Sequence, residues 1–343
     1  MAHRLSTIGL LVPAATLALS CSGSRATGPS NTPPPAGPSV AAGTAFTVRS
    51  GETDEAVAGA TITLAAVSPA GAFTTSYTTD GAGQFRLDRT VLLSTQPLLD
   101  ITAPGFLARA TLLRQEEPAL TLWPSSSQTG LDEAFSSTIA YSSSSCPAVS
   151  TGQASLRKLP SSATRAQIVL SDALREATGV EAAQQLAITR LNLALGDGPQ
   201  FELATTAAAG GLTFAAELDP TNSTCVDDGL LHAVTQLNLN GLNVAGGRIV
   251  YCSIGAARSA TLSLHELGHA TGLYHSASTS DVMYCSSGRP ANFSSRERLV
   301  MRLARQRRSG NRWPDNDRLA NPLLILAEGQ VERIACSDMD RSR

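Results

Sequence analysis

The stretch His265-Glu266-Leu267-Gly268-His269-Ala270-Thr271-Gly272-Leu273-Tyr274-His275 contains three of the five histidines in the 343-residue chain. Side chains four positions apart lie above one another on a helix, so His265 and His269 can present two imidazoles to one point. Gly272 can adopt the left-handed conformation that ends a helix, and the chain can then turn and bring His275 to the same point. Three imidazoles around one point are a ligand set for catalytic zinc, with water in the fourth position.

Glu266 directly follows the first histidine and is expected to point towards the open position of the ion. A carboxylate there can take a proton from a zinc-activated water, so Glu266 is predicted to be the general base of a hydrolytic reaction. The alternative is a surface helix whose histidines and glutamate make ordinary salt bridges. The register of Gly272 and His275 disfavours that alternative.

The pattern resembles the zinc motif of the metzincin metallopeptidases, in particular of the matrixin-like branch. Eight residues beyond His275, Met283 lies in Ser280-Asp281-Val282-Met283-Tyr284, which resembles the Met-turn found beneath the three imidazoles in that family. The resemblance implies hydrolysis of protein or peptide substrates, with zinc bound by His265, His269 and His275. For Met283, the alternative is a methionine that merely fills a gap in the core.

The charge and the hydrophobic content of the whole chain indicate which classes of protein it fits. There are 26 basic and 28 acidic residues, a formal net charge of −2, and this balance does not indicate a nucleic-acid partner. Hydrophobic residues make up 42% of the chain, which is enough for packed cores in about two domains. No internal apolar run has the length of a transmembrane helix.

The N-terminus has the features of an export signal. Arg4 precedes an apolar run over residues 5–19, which is too short for a spanning helix. The segment Leu17-Ala18-Leu19-Ser20-Cys21 resembles the end of a bacterial lipoprotein signal, which implies a signal over residues 1–21 and acylation of Cys21. The protein is then expected to be exported and attached to the cell envelope by its acyl chains. With an ordinary cleavable signal it is expected to be secreted.

Composition divides the remaining chain into segments. Residues 22–43 are predicted to be a disordered linker, and residues 124–154 a Ser-rich linker between domains. Residues 44–123 contain short strand patterns separated by Asp-Gly and Pro-Gly turns, which predict a small all-β sandwich. This segment resembles the carboxypeptidase regulatory-like domain, which implies a transthyretin-like fold. The stretches that carry the resemblance are residues 57–64, 79–85 and 103–106.

Residues 155–310 are predicted to be the catalytic domain of an α+β protein. The expected strands are residues 168–170, 201–203, 212–218 and 247–251, and the expected helices are residues 181–195 and about 257–271. This order resembles the metzincin N-terminal subdomain, a twisted mixed sheet with an active-site helix. Ser294 and Glu297 have the spacing of a capping box, which predicts a C-terminal helix through about Arg308. Residues 311–343 are predicted to be a C-terminal tail.

The cysteine count fits an exported protein. If Cys21 is acylated, five cysteines remain, and two disulfides with one free thiol are expected. Pairing of Cys225 with Cys252 and of Cys285 with Cys336 is a hypothesis, because sequence does not determine connectivity.

Two sets of polar or charged residues each have two interpretations. Asp227, Asp228 and Asn222 could bind a structural calcium ion, although plain loop chemistry is favoured. The seven arginines from Arg296 to Arg312 are predicted to form a solvated helix face. The alternative for these arginines is contact with anionic lipid or glycan.

The sequence therefore predicts a zinc-dependent endopeptidase that uses a zinc-activated water, with Glu266 as general base. Two alternatives are left open. One is a surface binding or adhesion module whose zinc domain is structural. The other is an amidase-type hydrolase that acts on peptidoglycan peptides.

Overall fold

The protein was analysed as a computed structural model. The residues that it describes are 37–127, 129–141, 155–222, 225, 231–241, 243–286, 288–319 and 330–337. The predicted signal over residues 1–21, the predicted lipidation site Cys21 and the candidate calcium ligands Asp227 and Asp228 lie outside these residues. In the described part the chain has an α+β fold. No described helix combines the length and the apolar character that crossing a membrane requires.

The N-terminal β region, residues 37–127, contains three sheets. Its strands are β1 (Ser39–Val40), β2 (Ala45–Ser50), β3 (Thr61–Ser68), β4 (Gly71–Thr78), β5 (Gln84–Arg86), β6 (Val91–Leu92), β7 (Leu98–Thr102), β8 (Arg109–Leu112) and β9 (Ala119–Leu122). The sheets have the orders β1-β6, β5-β2-β9 and β4-β3-β7-β8. Every second residue of β2 and β3 is buried, as expected for strands with one face on a core. Phe46 and Val48 of β2 share that core with Ile62 and Leu64 of β3.

The C-terminal α+β region, residues 129–337, is built on a six-stranded mixed sheet. Its strands are β10 (Arg165–Leu170), β11 (Gln200–Ala204), β12 (Leu212–Leu218), β13 (Leu231–Asn240), β14 (Asn243–Tyr251) and β15 (Gln330–Ser337). They lie in the order β11-β10-β12-β14-β13-β15. The first four in this order are parallel, whereas β13 is antiparallel to both β14 and β15. The four strands predicted in this region each fall within an observed strand.

Six helices complete the described part of this region: α1 (Glu133–Tyr141), α2 (Asp172–Glu176), α3 (Val180–Leu195), α4 (Ile254–Ala257), α5 (Ala260–Ala270) and α6 (Ser295–Arg305). The predicted end of α3 at residue 195 is confirmed, and Gly196 is its C-cap. The predicted capping box at the start of α6 is also confirmed, because Ser294 and Glu297 each bond the backbone of the other.

A buried glutamine fixes the helix that carries the histidine motif. Gln184 of α3 is fully buried, and its side-chain amide contacts the hydroxyl of Tyr251 and the carbonyl of Ala257. The same amide nitrogen lies 2.7 Å from the hydroxyl of Ser263 in α5. A buried polar group retained in a core must be bonded, so this contact sets the position of α5 relative to α3 and the sheet.

The structure differs from the predicted division of the chain at three segments. The predicted linker over residues 124–154 contains α1, which is largely buried in the core of the C-terminal region. The predicted tail over residues 311–343 contains β15 and the fully buried Asn311. The end of the predicted linker over residues 22–43 contains β1, which pairs with β6. Composition suggested linkers and a tail, but long-range contacts order the described residues of these segments.

A buried ion-pair network joins the two regions. The guanidinium of Arg307 makes two 2.7 Å hydrogen bonds to the carboxylate of Asp315. It also donates to the hydroxyl of Thr121 in β9, which belongs to the N-terminal β region. Beside it, Arg109 of β8 pairs with Asp317 at 3.1 Å, and both side chains are buried. The segment after α6 is therefore held by buried polar and charged contacts to β8 and β9.

The predicted solvated arginine face is confirmed at Arg298 and Arg302, which are exposed, and is wrong for Arg307, which is buried. Arg302 donates to the backbone carbonyls of Gly51 and Glu52, and Arg305 donates to the carbonyl of Leu195. Through these hydrogen bonds, Arg302 and Arg305 hold α6 between the N-terminal β region and α3.

Arg307→Ala is expected to lower the free energy of unfolding by about 3–5 kcal/mol, because it leaves a buried carboxylate without its cation. Urea unfolding followed by circular dichroism measures this loss. The matched control is Arg49→Ala, which breaks a pair whose side chains are 41% and 81% exposed. We expect less than about 1 kcal/mol for the control. Similar losses in both variants would contradict a stabilising role for the buried network.

Candidate metal centre

Three buried histidines converge on one point at the C-terminal end of α5. His265 and His269 lie one turn apart on this helix, and His275 follows in the loop after it. Their candidate ligand atoms all lie within 4.8 Å of one another. In the described part of the chain, this is the one group of three or more His, Cys, Asp or Glu side chains that could hold a metal ion.

Two backbone carbonyls fix the tautomers of the histidines on the helix. The Nδ1 of His265 lies 2.7 Å from the carbonyl oxygen of Val282, and the Nδ1 of His269 lies 2.8 Å from that of Leu273. A carbonyl can only accept, so each Nδ1 carries the proton and each Nε2 carries a lone pair. The two Nε2 atoms face each other at 3.1 Å. Two lone pairs at this distance repel, and a cation between them would remove the repulsion.

Burial also keeps these imidazoles neutral. It lowers the pKa of His265 and of His269 well below the usual value, because a charged ring is poorly solvated in the interior. A neutral imidazole is the form that binds a metal. The tautomer and the burial of each ring therefore both favour a neutral imidazole with a free lone pair on Nε2, which is the form that binds a metal.

Gly272 makes the turn that brings His275 to the other two histidines. Its φ is +100°, in the region that favours glycine. A Cβ at this position would also overlap the carbonyl of Arg157. After the turn, the backbone N–H of Tyr274 donates to the carbonyl of Ile139 in α1 at 2.8 Å. The third histidine is thus positioned by a glycine turn and by a helix that the sequence did not predict.

Glu266 is fully buried beside the histidines, and one of its two carboxylate oxygens is fixed. Its Oε2 accepts a 2.6 Å hydrogen bond from the hydroxyl of Thr235 in β13. Its Oε1 has no hydrogen-bond partner among the described residues. Burial raises the pKa of Glu266 to about 7, and the bond from Thr235 opposes this effect. The sequence analysis missed Thr235 because it did not predict β13.

Met283 lies against the helix at the position where α5 has no side chain. A Cβ on Gly268 would overlap the Sδ of Met283 and would lie 3.3 Å from the ring of Phe293. The backbone N–H of Met283 donates to the Oε1 of Glu297 at 2.8 Å. The other oxygen of Glu297 accepts from the backbone N–H of Ser294 at 2.7 Å. The capping residue of α6 therefore also holds the loop that carries Met283.

A second buried carboxylate fixes the same loop. Asp281 is fully buried and accepts hydrogen bonds from the hydroxyls of Ser276 and Ser294. It also pairs with Arg296 of α6, whose guanidinium lies 4.1 Å from the centre of the Phe135 ring in α1. The loop after the third histidine is thus bonded to the start of α6 through both Asp281 and Met283. Sequence reasoning placed Asp281 in this loop but did not identify the role of its carboxylate.

A cavity of about 480 Å³ lies beside the first turn of α5, and the three histidines are not among the residues that line it. Thr261 and Leu262 of α5, one turn before His265, form one wall, and Gly288 and Arg289 form another. The positive charge of Arg289 acts on His265, His269 and Glu266. The cavity has the volume of a small-molecule pocket and a cationic group at its wall.

The disulfide prediction is confirmed for one pair. Cys225 and Cys252 are bonded, and their Cα atoms are 5.6 Å apart. This bond attaches the segment before β13 to the residue that follows β14. Cys285 is also disulfide-bonded, to a side chain outside the described part. Its pairing with Cys336 therefore stays a prediction.

Comparison with models of known protein families gave no match, and comparison with curated protein sequences gave none either. The function must therefore be argued from the geometry of the histidine centre.

Gly268→Ala is expected to weaken metal binding by about 10–100-fold, the range seen when groups behind a ligand are changed. The added methyl group displaces Met283, although alanine is the better helix former by about 1 kcal/mol. Titration with Co²⁺, followed by its visible absorption, measures the affinity. Gly255→Ala is the control, because its Cβ would approach no atom closer than 3.6 Å. Unchanged affinity in Gly268→Ala would show that the Met283 contact does not support the centre.

Proposed function

We propose that the chain is a zinc-dependent endopeptidase of the metzincin type. The observation that carries this proposal is the pair of neutral imidazoles whose Nε2 atoms face each other at 3.1 Å. Two nitrogens bound tetrahedrally to zinc at about 2.0–2.1 Å are separated by ~3.3 Å, so the pair is nearly at the ligand spacing. His275 supplies a third nitrogen, and Glu266 supplies a carboxylate beside them.

The number of ligands favours a catalytic ion over a structural one. Structural zinc sites are usually closed by four protein ligands, whereas catalytic sites use three and leave one position open. The group found in the described part of the chain contains three histidines. A structural ion also has no need of a buried carboxylate next to its first ligand. Both points support hydrolysis rather than an adhesion module with a structural zinc domain.

The mechanism assigns a separate task to each side chain. His265, His269 and His275 would hold the ion. When bound, zinc would supply a Lewis acid that polarises the scissile carbonyl and acidifies a water molecule. Glu266 accepts the proton of the attacking water on Oε1 and later returns it to the leaving amine. Thr235 occupies Oε2, so that the carboxylate keeps one orientation during both transfers.

The proposal includes a fold assignment and a cellular location. The mixed sheet and α5 support a metzincin-like catalytic domain, in which Met283 takes the place of the Met-turn methionine. The paired sheets of the N-terminal β region support a carboxypeptidase regulatory-like sandwich.

The Cys225–Cys252 disulfide supports an exported protein, because such bonds persist in oxidising compartments. In this proposal the chain is anchored through acylated Cys21, or secreted without that modification.

Glu266→Ala is expected to keep zinc and to lose at least about 10²–10⁴-fold in peptide hydrolysis, the usual contribution of a general base. Casein zymography and a quenched fluorescent peptide measure the rate, and elemental analysis measures bound zinc. The exposed Glu181→Ala, in the first turn of α3, is the control and should retain activity. Undiminished casein cleavage by Glu266→Ala would overturn the proposal. If only a peptidoglycan digest depends on Glu266, the amidase alternative is correct.

A chelator is expected to abolish hydrolysis and to lower the thermal midpoint, since the neutral histidines then face each other without a cation. Added Zn²⁺ should restore both quantities, and Ca²⁺ should restore neither. Differential scanning fluorimetry and the quenched peptide assay report the two effects. Full activity after complete removal of the metal, checked by elemental analysis, would contradict a catalytic ion.

A further inference from the structure

The strand beside the catalytic carboxylate has a neighbour on each of its edges. β13 contributes Thr235, whose hydroxyl bonds the Oε2 of Glu266 at 2.6 Å. One edge of β13 pairs with β14 in the body of the sheet. Its other edge pairs with β15, the C-terminal strand, from Leu231 to Leu239. The edge of β13 that points away from the sheet is therefore covered by a segment of the same chain.

β15 approaches the catalytic carboxylate closely. Ile334 is the direct cross-strand partner of Thr235. Directly opposed residues of an antiparallel pair have Cα atoms about 4.5–5.5 Å apart, and their side chains lie on the same face of the sheet. Thr235 points to the face on which α5 lies, because it bonds Glu266 of that helix. Ile334 therefore lies on the catalytic face, where it is fully buried in the same core as Met283.

An extended peptide needs the backbone edge that β15 now occupies. Peptides often bind proteins by adding a strand to a sheet edge, where main-chain hydrogen bonds provide affinity and alternate side chains enter pockets. A peptide bond can reach Glu266 only if its chain passes close to that residue. The outer edge of β13 provides such a path, but β15 already uses its donors and acceptors.

We propose that β15 is an autoinhibitory strand, which occupies the substrate-binding edge of β13 and places Ile334 where a substrate side chain would lie. This inference rests on the proposed peptidase function. β15 is one of the two edge strands of the sheet and pairs only with β13 in the described structure, so its release leaves the other five strands paired. Displacement of β15 then activates the enzyme. If Cys336 of β15 is bonded to Cys285, as predicted from the sequence, reduction of that disulfide must come first.

A binding measurement tests occupancy of the edge without relying on catalysis. The probe is a fluorescein-labelled peptide with the sequence of residues 330–337 and the change Cys336→Ser, added to zinc-loaded full-length protein. In a Glu266→Ala background, which prevents cleavage of the probe, Ile334→Asp is expected to bind the probe at least tenfold more tightly than the parent. Ile334→Val keeps an apolar β-branched side chain and is the matched control, which should bind the probe as weakly as the parent.

An activity measurement tests the inhibitory effect. With Glu266 intact, Ile334→Asp is expected to raise kcat/KM for a quenched peptide at least tenfold, and the probe peptide should inhibit this variant competitively. If Ile334→Asp does not fold, as judged by circular dichroism, Ile334→Ala serves in both assays with an expected gain of at least threefold.

The two measurements separate the two proposals. Equal probe binding by the parent and the Ile334 variant would overturn the autoinhibitory strand, whatever the activity. Tighter probe binding without hydrolysis by any zinc-loaded variant would retain occupancy of the edge and reject the peptidase function. Tighter probe binding with unchanged kcat/KM in an active enzyme would reject inhibition by β15.

Discussion

The convergence of imidazole lone pairs on one buried point is the constraint on which the rest of the structure depends. Each ring can offer its Nε2 only if its Nδ1 proton has an acceptor, because an unpaired buried N–H is costly. The acceptors are the carbonyls of Val282 and Leu273, both in the chain that follows α5. The loop after the helix must therefore return to the ring of His265. The turn at Gly272 and the packing of Met283 on Gly268 satisfy that geometric requirement.

The position of that loop depends on groups far from the histidines. Glu297 bonds the backbone of Met283 and belongs to α6, while Arg302 on the same helix bonds carbonyls of the N-terminal β region. A series of direct contacts thus connects the turn after β2 to the loop that carries Met283 beside the candidate metal centre. Buried ion pairs such as Arg307–Asp315 contribute little net stability relative to apolar packing, but they tolerate only one geometry. Their effect here is to fix the orientation of α6.

Local patterns in the sequence were sufficient for the histidine centre and for four of the six strands of the mixed sheet. The spacing of His265, His269 and His275 is a local property of a helix and a glycine turn, and the apolar runs of β10 and β12 are equally local. β13 was missed because its segment Leu231–Asn240 includes polar residues that become buried. Thr235 and Gln236 are buried in the fold, and Thr235 is satisfied by a partner 31 positions away.

The serine-rich segment before residue 155 contains a helix that its composition does not predict. Its composition is typical of a linker, yet α1 buries Ser136 and Ser137 together with Phe135 and Ile139. The last part of the chain was missed for a similar reason. Asn311 is an ordinary loop residue by sequence, and only the fold places it between buried Asp315 and Asp317. Contacts of this kind depend on the complete topology and have no local signature.

Thr235 connects Glu266 to the outer part of the sheet, because its hydroxyl bonds the Glu266 carboxylate from β13. An arginine at this position would pair with both carboxylate oxygens and would lower the basicity of the group. The hydroxyl of Thr235 donates one hydrogen bond, which orients Glu266 and leaves Oε1 without a described partner. Because Thr235 belongs to β13, the position of the Glu266 carboxylate and that of any chain paired with the outer edge are both set by this strand. Backbone groups on that edge need partners. Release of β15 would therefore leave a template that an extended peptide can satisfy, beside a carboxylate that is already oriented.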